Sequence, residues 1–272
     1  MRRARRAWLD VLLAGALVAA LGAGLGAGLG ACALRRPVTV PMRLLQQPAQ
    51  CAGPVDTLVV FLPGAYSQPE EFIREGIVQT LRERHVAADA WIVDAHLGYY
   101  EERSIIERIQ ADVIVPARAR GYRHVWLVGV SIGAFGALIH SQSHPGEVAG
   151  IVAIAPYLGQ RDVLDEIRAA GGLRSWKAPA GDLPLERMDQ SLWRWLQGYL
   201  EARAARPPLY LGIGREDRFA DAHALLSTAL PRDRVFTSAG GHEWGPWREV
   251  WRQIVRVLPM PVDASCSERP ES

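Results

Sequence analysis

Short runs of consecutive apolar residues alternate along most of this chain with longer stretches whose apolar positions recur every three or four residues. The short runs are typical of strands buried on both faces, and the longer stretches are typical of helices. Strands are predicted at 57–62, 90–94, 124–129, 149–155, 209–213 and 234–237, and helices at 69–84, 101–115, 132–142 and 222–229. A closing helix is indicated by the apolar stripe Trp247, Trp251, Ile254 and Leu258. This alternation predicts an α/β fold, with a mostly parallel sheet and helices on both faces.

Local signals set the expected ends of the helices. The stretch 67–70 (Ser-Gln-Pro-Glu) is typical of a capping box that starts the first helix. Pro116 is expected to end the second helix, and Asp221 to cap the helix at 222–229. Residues 35–55 leave room for a tether and at most a short hairpin, so we expect a sheet with few opening strands.

One strand-to-helix junction carries a candidate nucleophile. The sequence Gly129-Val130-Ser131-Ile132-Gly133 lies between the 124–129 strand and the 132–142 helix. A Gly-x-Ser-x-Gly motif in this context is typical of a tight turn that presents a reactive serine at the end of a strand. The helix that follows points its unpaired N–H groups at the reacting centre. A Gly/Ser connection without chemistry is the alternative.

Two further groups follow later strands in an informative order. Asp217 comes just after the 209–213 strand and His242 just after the 234–237 strand. An imidazole can take the serine proton near neutral pH, and a carboxylate can hold the imidazole in the required tautomer. Glu216 and Asp221 compete with Asp217 for the acidic role.

The order Ser131, Asp217, His242 along the chain resembles that of the α/β-hydrolases, and the resemblance covers roughly residues 55–258. It implies a nucleophile at Ser131, a base and acid at His242, and an orienting carboxylate at Asp217, which falls three residues after Gly214 as in the family pattern. The family also needs two N–H donors for a developing oxyanion. The resemblance assigns one to Ile132. The other should come from the loop Pro63–Tyr66, where Ala65 is the first choice and Tyr66 the second. This loop departs from the lipase pattern, because Pro63 stands where lipases carry histidine.

The alternation of strands and helices is interrupted at 157–206. In the α/β-hydrolases, an insertion at this point usually forms a cap over the site. Its tryptophans Trp176, Trp193 and Trp195, together with Tyr66, are therefore possible lining of a substrate pocket. The alternative is that the tryptophans pack the cap onto the core.

Charge and composition exclude some function classes. The net charge is +2, and four arginines and one aspartate lie in the first 31 residues, so the positive balance belongs to the N-terminal segment. No basic patch interleaved with aromatics occurs, so nucleic acid is not expected as a partner. No His/Cys/Asp cluster has the spacing of metal ligands, and we expect neither a metal nor an organic cofactor.

The N-terminus predicts export. A basic start is followed by an uncharged stretch, and the sequence Leu29-Gly30-Ala31-Cys32 resembles the lipobox of bacterial lipoproteins, in which the cysteine becomes lipidated. An uncleaved transmembrane anchor is the alternative, because the uncharged stretch is long enough to span. Of the three cysteines, Cys51 and Cys266 remain as a possible disulfide in an oxidising compartment, or as two unrelated thiols.

These inferences divide the chain into a leader or anchor (1–31), a tether (32–54), a hydrolase domain (55–258) and a tail (259–272). The expected function is cleavage of a carboxylic ester or thioester by a serine hydrolase on the outer side of a bacterial membrane, facing the periplasm. The substrate would be a small or lipid-like acyl compound. A non-catalytic envelope protein on a hydrolase scaffold, and an acyltransferase or amidase with the same residues, are the alternatives.

Overall fold

Seven strands form a single sheet in the computed structural model, which describes residues 36–201 and 206–266. Their spatial order is β1-β3-β2-β4-β5-β6-β7. The strands are β1 Leu44–Gln47, β2 Thr57–Leu62, β3 Asp89–Val93, β4 His124–Val130, β5 Gly150–Ile154, β6 Leu209–Gly214 and β7 Val235–Ser238. All neighbouring pairs are parallel except β1 and β3. The predicted α/β class with a mostly parallel sheet is therefore confirmed, and the tether region contributes one edge strand instead of a hairpin.

Ten α-helices connect and cover the strands in the described part of the chain. They are α1 Pro69–Arg74, α2 Ile77–Glu83, α3 Leu97–Glu101, α4 Ile105–Ile109, α5 Val115–Ala119, α6 Ile132–Ser143, α7 Arg161–Ala169, α8 Met188–Gln197, α9 Ala220–Ser227 and α10 Trp244–Val255. All strands and helices described belong to one unit that begins at Thr39. The leader and Cys32 lie outside the described residues.

The core lies on both faces of the sheet because the central strands are apolar at every position. In β2 all six residues are buried; Val59 and Phe61 join the cluster that contains Trp251 and Ile254 of α10. Since side chains alternate along a strand, Leu58 and its neighbours of the same parity point to the opposite face. There α6 contacts β2, β4 and β5. This two-sided burial holds the strand ends firmly at the edge where the site forms.

Several predicted helix ends were wrong, for local reasons. Gly76 adopts φ +72°, which divides the expected 69–84 helix into α1 and α2. Pro116 does not end a helix, because a π-helical turn at Gln110–Ile114 leads into α5 and places the proline in its first turn. The first cap lies at Gln68, whose N–H donates to the Glu71 carboxylate 3.3 Å away.

The insertion between β5 and β6 packs on itself and on α6. Trp193 of α8 is fully buried and donates its indole N–H to the Leu158 carbonyl at 2.8 Å. The Gln142 side chain of α6 donates to the Ser191 hydroxyl at 2.7 Å. These contacts fasten α8 to the body of the domain.

A disulfide joins Cys51 to Cys266 and ties the two ends of the domain together. The adjoining segment, expected only as a tail, pairs with the chain before β3: Ala87 donates its backbone N–H to Pro261 and Asp263 donates to His85, both at 2.9 Å. No helix within residues 36–201 and 206–266 is both long and apolar enough to cross a membrane.

Candidate active site

Ser131 lies on a strained turn between β4 and α6. Its backbone adopts φ +54° and ψ −117°, a region that residues with a side chain rarely occupy. Two backbone hydrogen bonds hold Ser131 in this conformation. Its N–H donates to the Ile154 carbonyl at 2.9 Å, and its carbonyl accepts from the Tyr157 N–H at 3.1 Å. The strain is therefore maintained by the neighbouring strand β5 and the loop after it.

The two glycines of the motif allow this turn to pack closely. A Cβ atom on Gly129 would lie 2.3 Å from the Ala134 nitrogen, and one on Gly133 would lie 2.1 Å from the Leu62 carbonyl oxygen. Both distances are far inside van der Waals contact, so only glycine fits at either position. The start of α6 consequently rests against the end of β2.

The structure brings Ser131, His242 and Asp217 into one hydrogen-bonded chain. His242 Nε2 lies 2.9 Å from Ser131 Oγ, and His242 Nδ1 lies 2.8 Å from Asp217 Oδ2. The loops that carry the last two residues touch, because a Cβ on Gly214 would meet the Gly240 carbonyl oxygen at 2.4 Å. All three groups lie at the carboxyl ends of parallel strands, where sites form in open α/β sheets.

The Asp217 carboxylate is fully buried, yet it is held in the charged form. Burial alone raises the pKa of Asp217, but hydrogen bonds from His242 and from the Phe219 N–H outweigh burial, so the pKa lies below its usual value. A charged carboxylate on Nδ1 favours the tautomer that leaves Nε2 free to accept the Ser131 proton.

The other acidic candidates serve different partners. The Glu216 carboxylate accepts a hydrogen bond from the Gly240 N–H and thereby braces the His242 loop. Asp221 pairs with Arg168 at 2.8 Å. The prediction that Asp221 caps α9 is wrong, because the helix begins two residues earlier than expected, with Phe219 at the N-cap.

The loop after β2 lies beside the candidate nucleophile. A Cβ on Gly64 would lie 3.6 Å from the Ser131 Cβ, and the Ser67 N–H closes the turn on the Gly64 carbonyl at 3.2 Å. Ile132 is the first residue of α6, where backbone N–H groups have no partner within the helix. Ala65 is half-buried, whereas Tyr66 has 77% of its surface exposed.

Two aromatic side chains that the sequence did not assign to the site pack against the imidazole. Phe219 and Trp247 meet His242 edge-on, with ring centroids 5.1 and 5.0 Å away. Nothing in the linear sequence separates them from other aromatics. Their role follows from the fold: Phe219 lies two residues after Asp217, and Trp247 lies in α10, five residues after His242.

The tryptophans of the insertion do not line the cavity beside this site. Trp176 and Trp193 are buried, and Trp176 donates its N–H to Glu166 at 2.9 Å. Trp195 packs edge-on against Tyr199. The cavity beside Phe219 is lined instead by Tyr157–Arg161, Leu164, Asp165, Arg168, Arg218, Phe219, Asp221 and Ala222.

His223 is a buried second imidazole near the site. Its Nε2 lies 2.9 Å from the Pro156 carbonyl oxygen, and burial lowers the pKa of His223 despite that bond. The ring meets Phe219 on the side of α9 and not Ser131, so it supports the loop. In the described ranges, no three or more His, Cys, Asp or Glu side chains are grouped to hold a metal ion.

Comparison with known proteins identifies the fold. No family model matches the chain, and no curated protein matches its sequence. Among solved structures, Est1E from Butyrivibrio proteoclasticus is 13% identical with a TM-score of 0.58, over 79% of this chain and 91% of that one. The S-formylglutathione hydrolase FrmB from Staphylococcus aureus is 14% identical with a TM-score of 0.50, over 75% and 80% of the two chains. The fluorophosphonate-binding serine hydrolase FphF from Staphylococcus aureus is 12% identical with a TM-score of 0.50, over 79% and 98%. This chain has the α/β-hydrolase fold.

Proposed function

We propose that the chain is a serine hydrolase that cleaves a carboxylic ester or thioester through an acyl-enzyme on Ser131. The observation that carries the proposal is the continuous chain of hydrogen bonds from the Ser131 hydroxyl through His242 to the buried Asp217. Strain at Ser131 adds support, because such backbone is kept where it serves a reaction.

In the proposed reaction, His242 Nε2 takes the proton of Ser131 as Oγ bonds to the substrate carbonyl carbon. The N–H groups of Ile132 and Ala65 stabilise the negative oxygen of the tetrahedral intermediate. When that intermediate collapses, the bond to the leaving alcohol or thiol breaks and His242 returns the proton to it. Water, deprotonated by His242, then attacks the acyl carbon, and cleavage of the ester bond to Ser131 restores the hydroxyl.

Two alternatives share the same residues. An acyltransferase or amidase would use the triad with another acceptor or leaving group. A non-catalytic envelope protein would have no use for an imidazole that links a strained serine to a buried carboxylate. Ester or thioester hydrolysis is preferred over acyl transfer because water is the only acceptor it needs, and over amide cleavage because an alcohol or thiol is an easier leaving group for His242 to protonate than an amine.

The proposed location is the outside of a bacterial membrane, reached by lipidation of Cys32 or, alternatively, by an N-terminal transmembrane anchor. The pairing of Cys51 with Cys266 supports an oxidising compartment.

Labelling with a fluorophosphonate probe tests the proposal. The protein should form a covalent adduct at Ser131 that is absent from Ser131→Ala. Ser143→Ala, at the exposed far end of the same helix α6, is the matched control and should label like wild type. A folded wild-type protein that neither labels nor cleaves any ester of a nitrophenol series would overturn the proposal.

A further inference from the structure

A cavity of about 420 Å³ adjoins the candidate active site and has no role in the steps above. Its inner wall is formed by Tyr157 and Phe219, whose rings meet edge-on at 5.7 Å. Tyr157 donates its backbone N–H to the Ser131 carbonyl, and Phe219 contacts the His242 ring. One part of a substrate could therefore occupy this cavity while its ester carbonyl reaches Ser131.

Of the three arginines that line the cavity, Arg168 forms ion pairs with the lining acids. Arg168 engages both lining acids, Asp165 at 2.9 Å and Asp221 at 2.8 Å. Arg161 and Arg218 also line the cavity, and within residues 36–201 and 206–266 neither forms an ion pair. Both acids that line the cavity are therefore paired with Arg168, and neither is paired with Arg161 or Arg218.

Two more carboxylates near Tyr157 are held by the backbone. Asp189 accepts the N–H groups of Gln160 and Gln190 at 3.1 and 2.8 Å. Asp162 accepts the N–H of Val163 at 2.9 Å. Neither Asp189 nor Asp162 lines the cavity.

Arg218 adjoins the candidate triad. It follows Asp217 directly, and its guanidinium carbon lies 4.8 Å from the centroid of the Phe219 ring. Stacking on an aromatic ring restrains a guanidinium without consuming its hydrogen-bond donors. Arg161 is the first residue of α7 and lines the same cavity. The two cations therefore face one space from two elements.

We propose that this cavity binds an anionic group of the ester substrate, a carboxylate or a phosphate, through Arg161 and Arg218. Planar guanidinium groups pair with both kinds of oxyanion. The inference rests on the proposed ester hydrolysis and specifies its substrate class: an ester that carries a negative charge away from the scissile bond. It narrows the expected small or lipid-like acyl substrate, and it does not involve the tryptophans of the insertion, which pack elsewhere.

The test compares matched substrates that differ in one charge. On the acyl side, 4-nitrophenyl hydrogen adipate is compared with 4-nitrophenyl methyl adipate, and the 4-nitrophenyl ester of 5-phosphonopentanoate separates phosphate-type from carboxylate recognition. On the alcohol side, 4-acetoxybenzoate is compared with its methyl ester. We expect kcat/KM to be about tenfold higher for the charged member of one pair, mainly through a lower KM, because each of the two exposed arginines should contribute about threefold.

Arg161→Gln and Arg218→Gln should each lower this preference about threefold, and the double variant should abolish it. Arg215→Gln is the matched control, because this exposed arginine lies on the same loop and does not line the cavity. The preference should also fall with added salt, since screening weakens interactions between exposed charges.

Equal kcat/KM for charged and neutral members of every pair, in a protein that labels at Ser131, would overturn this inference and leave the proposed function intact. So would a preference that persists in the double variant. Failure to label and to cleave any of these esters would instead overturn the proposed function.

Discussion

The indole of Trp247 meets the imidazole of His242 edge-on, with ring centroids 5.0 Å apart and planes at 84°. Phe219 makes the equivalent contact from another side, at 5.1 Å and 85°. The His242 ring has two hydrogen-bonded nitrogens and two aromatic walls, so its orientation is fixed by packing as well as by Asp217. Trp247 is held in turn by Trp244, at 5.2 Å.

Trp247→Leu should therefore lower kcat with little change in KM. Removing one wall lets the imidazole leave the alignment that proton transfer needs, and we expect a loss of about tenfold. Trp247→Phe keeps an aromatic wall and should restore most of the activity. Ester hydrolysis is measured alongside the rate of fluorophosphonate labelling, with Trp195→Leu in the insertion as the control. An unchanged kcat in Trp247→Leu would contradict the role of the wall.

Asp217→Asn should lower kcat by about 10³- to 10⁴-fold, because an amide favours the wrong imidazole tautomer and cannot stabilise an imidazolium. Asp233→Asn, on an exposed turn before β7, is the control and should retain full activity. Activity within tenfold of wild type in Asp217→Asn would remove Asp217 from the triad.

The same substitution makes a prediction about stability and pH. The pKa of Asp217 is lowered on folding, so its charge stabilises the protein above the unfolded-state pKa of about 3.9, and that contribution is lost as the pH falls through the folded-state pKa. The difference in free energy of unfolding between wild type and Asp217→Asn should shrink between pH 5 and pH 3 in urea titrations. A constant difference would show that the carboxylate is not held in its charged form.

The strands and the positions of Ser131, Asp217 and His242 could be predicted from the sequence because each depends on local pattern. Buried strands are continuous apolar runs, and parallel strands bring their carboxyl ends to one edge. The helix ends near Gly76 and Pro116 could not be predicted, because the effect of either residue on a helix depends on the packing of its neighbours.

The lining of the site could not be predicted, since it depends on which side chains the loops place together. Trp193 is fully buried and its N–H is satisfied by Leu158, a partner 35 positions away. Phe219 follows Asp217 in a loop and Trp247 lies in α10, and only the folded structure brings both rings against one imidazole. The sequence alone does not show whether an aromatic residue packs in the core or lines the site.

Gly133→Ala should destabilise the protein by on the order of 2–3 kcal/mol, because the new methyl group would lie 2.1 Å from the Leu62 carbonyl oxygen and neither backbone can move freely. Gly245→Ala is the control, because no atom outside its own helix and chain neighbours lies within 4 Å and alanine favours the helical backbone. Melting temperatures followed by circular dichroism compare the two. Equal melting temperatures for Gly133→Ala and wild type would contradict the close approach of α6 to β2.

The disulfide between Cys51 and Cys266 should stabilise the domain without affecting its chemistry. It spans 215 positions, and closing a loop of that length in the unfolded chain corresponds to about 2–5 kcal/mol. It lies by His85 ahead of β3, at the end of the sheet opposite the triad. The Cys51→Ser/Cys266→Ser variant should melt at a lower temperature and label at Ser131 like wild type at 25 °C. A wild-type melting temperature that dithiothreitol leaves unchanged would argue against the bond.

We expect the free energy of unfolding to fall in mild acid because of the buried imidazole of His140. It is fully buried on α6, its Nε2 lies 2.9 Å from Gln110 Oε1, and its ring stacks on His144 with centroids 4.7 Å apart. Burial, and secondarily the His144 charge, lower the pKa of His140 to about 3. Its unfolded-state pKa is about 6.5, so between these values the unfolded chain binds the additional proton and stability must fall as the pH decreases.

Between pH 7.5 and pH 5 this one residue should reduce the free energy of unfolding by about 2 kcal/mol. His140→Gln can still donate toward Gln110 but cannot be protonated, so it should show a correspondingly smaller decrease over the same range. His124→Gln, at an exposed position opening β4, should keep the wild-type decrease. Urea denaturation of all three proteins at both pH values decides the matter, and parallel decreases in wild type and His140→Gln would mean that this imidazole does not resist protonation in the fold.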